Sequence, residues 1–177
     1  MLKTLGQVEY GLYGLANSIV GYLTVLDFGF GNAAVRYTAK YKAENKEEKL
    51  KYMYGMFLAL YTFIGLVTFF IGFCISQNAE LFFENGLLPQ ELQTIKILLI
   101  LASINLAVSF PFGIFTSIIT AYERFIFFKI SSIIRHVFNP IVYIPVLFFG
   151  YKSIGLIVAT SILNHLQHQA REFFFQD

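Results

Sequence analysis

The stretch Gly21–Lys51, GYLTVLDFGFGNAAVRYTAKYKAENKEEKLK, decides the fold. It opens inside an apolar run, holds one acid at Asp27, and leaves the run at Arg36. Beyond Arg36 it becomes dense in Lys and Glu. A lone carboxylate at the centre of a bilayer helix costs about 2.5–3.5 kcal/mol on insertion scales. Cations gather on the cytoplasmic connections of membrane proteins. The acid and the basic loop together point to a membrane protein with this loop on the cytoplasmic side.

Composition agrees. Of 177 residues, 56% are hydrophobic and 14% charged, whereas soluble domains carry about 25% charged residues. There is too little polar surface to coat a globule. The net charge of +2 is too small to argue for nucleic acid. The one cysteine, Cys74, lies in an apolar block, where a lipid- or core-facing thiol is expected. With no Trp, tyrosine serves as the interfacial aromatic, and Tyr10, Tyr13, Tyr37, Tyr41, Tyr52, Tyr54, Tyr122 and Tyr151 fall near block ends. Met1–Glu9, MLKTLGQVE, is short and polar, unlike a cleavable signal peptide.

Outward from the key stretch, a bilayer crossing needs about 20 apolar residues. The predicted spans are 12–35, 53–75, 95–121 and 131–149, with a partial fifth at 154–163 and a polar tail at 164–177. The first span is rich in small residues that let helix backbones approach. Its Gly29-Phe30-Gly31-Asn32-Ala33-Ala34 formally matches a dinucleotide-binding G-x-G-x-x-A. The match is rejected, because that motif follows a strand and here lies within one apolar run. The loop 37–52 is basic. Gln77–Gln93 has acids but no Lys or Arg, and its Gly86 and Pro89 predict a short amphipathic piece and a turn. Pro111 should kink the third span, with Ser109 or a neighbouring helix serving the carbonyl it frees. The loop at 122–135 holds Arg124, Lys129 and Arg135, so the three loops alternate inside, outside, inside along the chain. That order puts Met1 outside and leads to the expectation of a missing upstream helix and truncation at both ends.

Soluble-enzyme constellations are absent from the sequence: no H-E-x-x-H, no Walker loop, no paired intramembrane acids. His165 and His168 are three apart, but no Cys, Asp or third His completes a metal site. Four residues are candidates for binding. Asp27 reads as a proton- or Na⁺-coupling carboxylate or a post lining a solute cavity, or else as an acid satisfied by a neighbouring helix. Arg36 reads as a fork for a lipid-linked phosphate, or as a snorkelling interfacial arginine. It follows Asp27 by nine residues, about 180° around a straight helix, so the two cannot pair within one. Lys40 has the same two readings as Arg36. Asn105 could line a cavity or bridge helices.

LGQVEYGLYGL, then GYLTVLDFGFGNAAVRYTAKY, then AYERFIFFK resemble the oligosaccharide flippases that serve O-antigen and capsule repeat units. These form the polysaccharide-exporter branch of the superfamily that also holds multidrug-extrusion carriers and lipid II flippases. The likeness covers about Thr4–Leu163, and the Asp27–Tyr37 stretch is its most specific part. It implies an all-α, polytopic transmembrane helix bundle, a partial N-terminal lobe of a two-lobe transporter. It further implies a bacterial inner-membrane location, no enzymatic step and no cofactor. The implied partners are membrane lipids and an undecaprenyl-pyrophosphate-linked oligosaccharide moved by alternating access. The family's pyrophosphate-facing arginines are represented here by Arg36 alone. The family's first helix and second lobe are not in this sequence, and a separate chain supplying the second lobe is one arrangement that would complete it. The alternatives are a multidrug-extrusion or lipid II relative, or a membrane protein that only docks to others.

Overall fold

In the computed structural model, residues 6–83, 86–122 and 152–173 are described, and between the last two segments only 133, 137, 139, 141–143, 145 and 146; in the final segment side chains are described over 153–164. Among these residues the regular structure is helical, as hydrocarbon requires of backbone that has no water to bond. In chain order the helices are α1 (Gln7–Leu23), a 3₁₀ turn (Thr24–Asp27), α2 (Phe30–Ala43), α3 (Glu47–Gln77), α4 (Ala79–Phe83), α5 (Pro89–Ala121) and α6 (Lys152–Phe173). Three stretches are long and apolar enough to cross a membrane: Gln7–Ala43, Glu47–Gln77 and Pro89–Ala121.

The expected first span, 12–35, is therefore not one straight helix. It breaks at Phe28 (φ 46°) and Gly29 (φ 76°), both left-handed. Phe28 donates its N–H to Val25 O, and Thr24 Oγ1 donates to Gly21 O, closing the end of the helix locally. Gly29 bears φ > 0 without a Cβ penalty, but Phe28 does not. The break thus keeps a strained residue within the span.

The basic loop expected at 37–52 is much shorter. Helix α2 runs to Ala43 and α3 starts at Glu47. Asn45, with φ 52°, closes α2: Lys46 N–H donates to Tyr41 O and Asn45 N–H to Lys42 O. This is a Schellman closure, which an Asn in the left-handed region can support. Lys40 and Lys42 in the last turn of α2, and Glu47 and Glu48 in the first turn of α3, complement the two helix dipoles. The polar composition that suggested a loop is instead the composition of two helix ends.

The acidic connector forms the predicted short piece, α4, and a turn at Gly86. Pro89 then starts α5, and the Glu91 carboxylate accepts the Leu88 N–H. Beyond residue 151 the helix does not stop at the end of its apolar part, Ser153–Asn164. It continues to Phe173, because 164–173 contains neither Gly nor Pro. The 122–135 loop beyond Tyr122, most of the expected span 131–149, and the His165 and His168 side chains lie outside what is described.

Helix α5 is the hub. One core cluster joins it to α2 and α3 through Ala34, Phe57, Tyr61, Phe110 and Ile114. A second joins it to α1, α4 and α6 through Leu12, Ala16, Ala79, Leu98 and Ile157. The largest interface is α3 on α5, and glycine sets its closeness. A Cβ on Gly65 would lie 2.5 Å from the Ala107 carbonyl oxygen, and one on Gly72 would lie 1.8 Å from Ser103 Oγ. Ala107 precedes Pro111 by four, so its carbonyl is the one that Pro111 leaves without a helical N–H. The helix is continuous through Pro111, and Ser109 Oγ donates to Asn105 O rather than to the freed carbonyl. That carbonyl is packed against the bare face of Gly65.

Candidate functional site: a carboxylate at a helix break

Asp27 closes the 3₁₀ turn immediately before the break. Its Oδ1 accepts the Tyr61 hydroxyl at 2.8 Å. Gly31 makes room for the pair: a Cβ there would lie 3.3 Å from the Tyr61 hydroxyl, 3.5 Å from Ser117 Oγ and 3.9 Å from Asp27 Oδ2. Tyr61 is almost fully buried, stacked against Phe110, while Asp27 is half-buried. Three elements thus meet at one carboxylate: the break, the middle of α3, and α5. By helical rise, Tyr61 lies about 21 Å from the start of α3 at Glu47 and about 24 Å from its end at Gln77. The carboxylate is therefore held near the middle of a helix long enough to cross a bilayer.

Such an acid is costly unless it is bonded. One hydroxyl satisfies part of a carboxylate that can accept about four hydrogen bonds. The remaining capacity, beside the break, is available to a proton, a cation or a polar solute.

The other candidates are not gathered here. Arg36 and Lys40 are exposed on α2. Among the described residues, neither forms a salt bridge. Asn105 belongs to a different assembly, between α5 and α6. Its Nδ2 donates to Ser161 Oγ (2.8 Å), and its Oδ1 accepts from Asn164 Nδ2 (3.1 Å). Asn105 also lines a cavity of about 210 Å³ shared with Tyr13, Asn17, Ser109, Thr160 and Asn164. It both bridges helices and faces a polar space. The Tyr143 hydroxyl, 2.8 Å from Thr160 Oγ1, extends this seam.

Sequence reasoning passed over Tyr61, Ser117 and Glu9. Glu9 accepts a hydrogen bond from the buried Ser153 hydroxyl, tying the start of α1 to α6. For Tyr61 a signal exists. Most tyrosines lie at block ends, but Tyr61 falls mid-span, where a hydroxyl must find a partner.

The sequence matches the family described as "Polysaccharide biosynthesis protein" over residues 2–171. No curated protein and no solved structure matches the chain.

Proposed function

This chain belongs to the polysaccharide biosynthesis protein family, and on that premise we propose that it forms part of a transporter that moves lipid-linked oligosaccharide across the bacterial inner membrane. The transport is by alternating access, and the cargo is a polysaccharide repeat unit on an undecaprenyl-pyrophosphate carrier. The observation that carries this reading is the half-buried Asp27 carboxylate at the break of a membrane-length helix. Broken helices near the midplane are where membrane transporters place binding groups, and an intramembrane acid is functional by default. In this reading Asp27 responds to cargo or coupling ion, Tyr61 orients it, and Arg36 and Lys40 meet phosphate at the membrane edge. The polar cavity at Asn105 lies inside the same lobe and offers hydrogen bonds to a polar solute.

The test is genetic and chemical. In the cell that makes the polysaccharide, deletion of the gene should reduce surface polysaccharide and cause lipid-linked oligosaccharide to accumulate on the cytoplasmic side. Asp27→Asn should reproduce both effects at normal protein level. Unchanged surface polysaccharide and unchanged lipid-linked pools in the deletion strain would remove the transport reading.

A further inference from the structure

A cleft of about 610 Å³ opens between α2 and the first turns of α3. Tyr37 and Tyr41, stacked with centroids 6.1 Å apart, line it from α2. From α3 come two kinds of residue. Glu48 and Lys49 line its outer end, and Tyr52, Met56 and Phe57 its inner end. Lys49 and Phe57 are eight residues apart, so the cleft deepens by about 12 Å from charged rim to apolar floor. That volume is in the range of small-molecule sites, about 300–1,000 Å³, and exceeds what a few waters would need.

The charges at the rim are of opposite sign, and Lys49 also acts at longer range on Glu44. Glu48 and Lys49 are both exposed and, among the described residues, neither forms a salt bridge. The neighbouring Glu44, in contrast, is paired with Lys46 at 2.6 Å. A ligand fitting this lining has an anion for Lys49 and a hydrogen-bonding cation for Glu48. Aromatic rings lining the same cleft can add a cation–π contact to that cation. Below the headgroup the ligand is a hydrocarbon chain, received by Met56 and Phe57. Because α2 closes one membrane-length stretch and α3 opens the next, a bilayer crossed by both would meet the rim at headgroup level and the floor in hydrocarbon.

We propose that this cleft is a binding site for a zwitterionic aminophospholipid, with its phosphate at Lys49, its ammonium at Glu48 and the tyrosine pair, and an acyl chain along Met56 and Phe57. The site rests only on the chain's being a membrane protein, and it is independent of the cargo. A purely anionic headgroup would meet Glu48 with nothing to offer it. A choline headgroup keeps the positive charge but cannot donate a hydrogen bond to that carboxylate.

The experiment is native mass spectrometry of the purified, delipidated full chain, titrated with phosphatidylethanolamine, phosphatidylglycerol or phosphatidylcholine of identical acyl chains. The ethanolamine lipid should be retained most tightly. Glu48→Gln and Lys49→Gln should each weaken it about tenfold, the loss of one charge-assisted contact. Lys51→Gln, exposed but outside the cleft, should not weaken it. Exchanging the charges, Glu48→Lys with Lys49→Glu, should recover part of the affinity. Glu48 and Lys49 lie on the surface, and the dipole contribution of Glu48 is small, about 0.3–1 kcal/mol, so thermal melts of the variants should stay within a few degrees of the parent. Preference for the glycerol lipid, equal retention of all three, indifference to both single variants, or a dimer whose formation excludes lipid would each overturn the proposal.

Discussion

The α3–α5 joint makes a prediction whose sign is set by glycine geometry alone. Gly65→Ala places a methyl group 2.5 Å from a backbone oxygen, almost an ångström inside ordinary contact. That oxygen belongs to Ala107 and cannot rotate away, so the two helices must part locally. Overpacking of this kind costs about 1–3 kcal/mol. At about 2–4 °C per kcal/mol for a chain of this length, the melting temperature in detergent should fall by roughly 2–12 °C. Gly55 is the control, in the same helix with nothing within 4 Å of its added Cβ. Gly55→Ala relieves a helix-interior glycine and should raise stability by up to about 1 kcal/mol. Gly72→Ala should behave like Gly65→Ala, since its Cβ would lie 2.5 Å from Ser103 Cβ as well as near Oγ. Ser103→Gly should rescue it, giving a favourable coupling in the double variant. Intrinsic-fluorescence or static-light-scattering melts would measure all four. If Gly65→Ala melts with or above the parent while Gly55→Ala does not rise, the close-approach account is wrong.

Three further outcomes can be checked together. Gly29→Ala meets no neighbour within 4 Å but keeps φ at 76°; it should cost about 1–2 kcal/mol from backbone conformation alone, read by the same melts. Asn105→Ala removes the shared partner of Ser161 and Asn164. Membrane hydrogen bonds average about 0.6 kcal/mol and reach about 1.7, so a loss of about 1–2 kcal/mol is expected, and Ser161→Ala should add little on top of it. The Lys96 ammonium, bonded to Glu80 at 2.7 Å, holds that carboxyl below its ordinary value of 4.5. A depressed folded value adds stability above pH 4.5, lost as pH falls through the folded value. The pair is exposed and its effect small, so Lys96→Gln should shift Glu80 titration by carboxyl NMR back toward 4.5 and flatten only that part of the acid-side slope.

The long spans were legible because their signal is length. Glu47–Gln77 and Pro89–Ala121 extend the expected 53–75 and 95–121 by under two turns, chiefly at starts whose polar residues cap rather than cross. The closure at Asn45 was not, since five lysines and three acids between 37 and 52 read as solvated loop. The same residues are what two abutting helix ends require. Asp27 was legible by its cost in hydrocarbon, but its partner was not. Tyr61 is 34 residues away and stands in a run whose apolar character hid one hydroxyl. The break at Phe28 depends on a left-handed aromatic, which no local preference would choose. Phe28 itself is exposed; the turn is held by its N–H bond to Val25 O and by its neighbours Leu26 and Phe30, which pack on the core shared by α2, α3 and α5. Asn105 showed itself as a polar residue within a span. Which helix it reaches depends on where Ser161 and Asn164 return, and spacing does not encode that.

The bare face of Gly65 against the Ala107 carbonyl has a mechanical consequence. Two rods joined backbone to backbone, with notches seven residues apart on one and four apart on the other, act as a keyed shaft with a single depth of engagement. Sliding either rod by a single residue rise, about 1.5 Å, would carry the Ala107 carbonyl off the bare face of Gly65 and the Ser103 side chain off that of Gly72. The two contacts therefore oppose sliding of one helix along the other. The break between Leu23 and Phe30 has no such key, and there the Tyr61 hydroxyl on Asp27 is the latch across it.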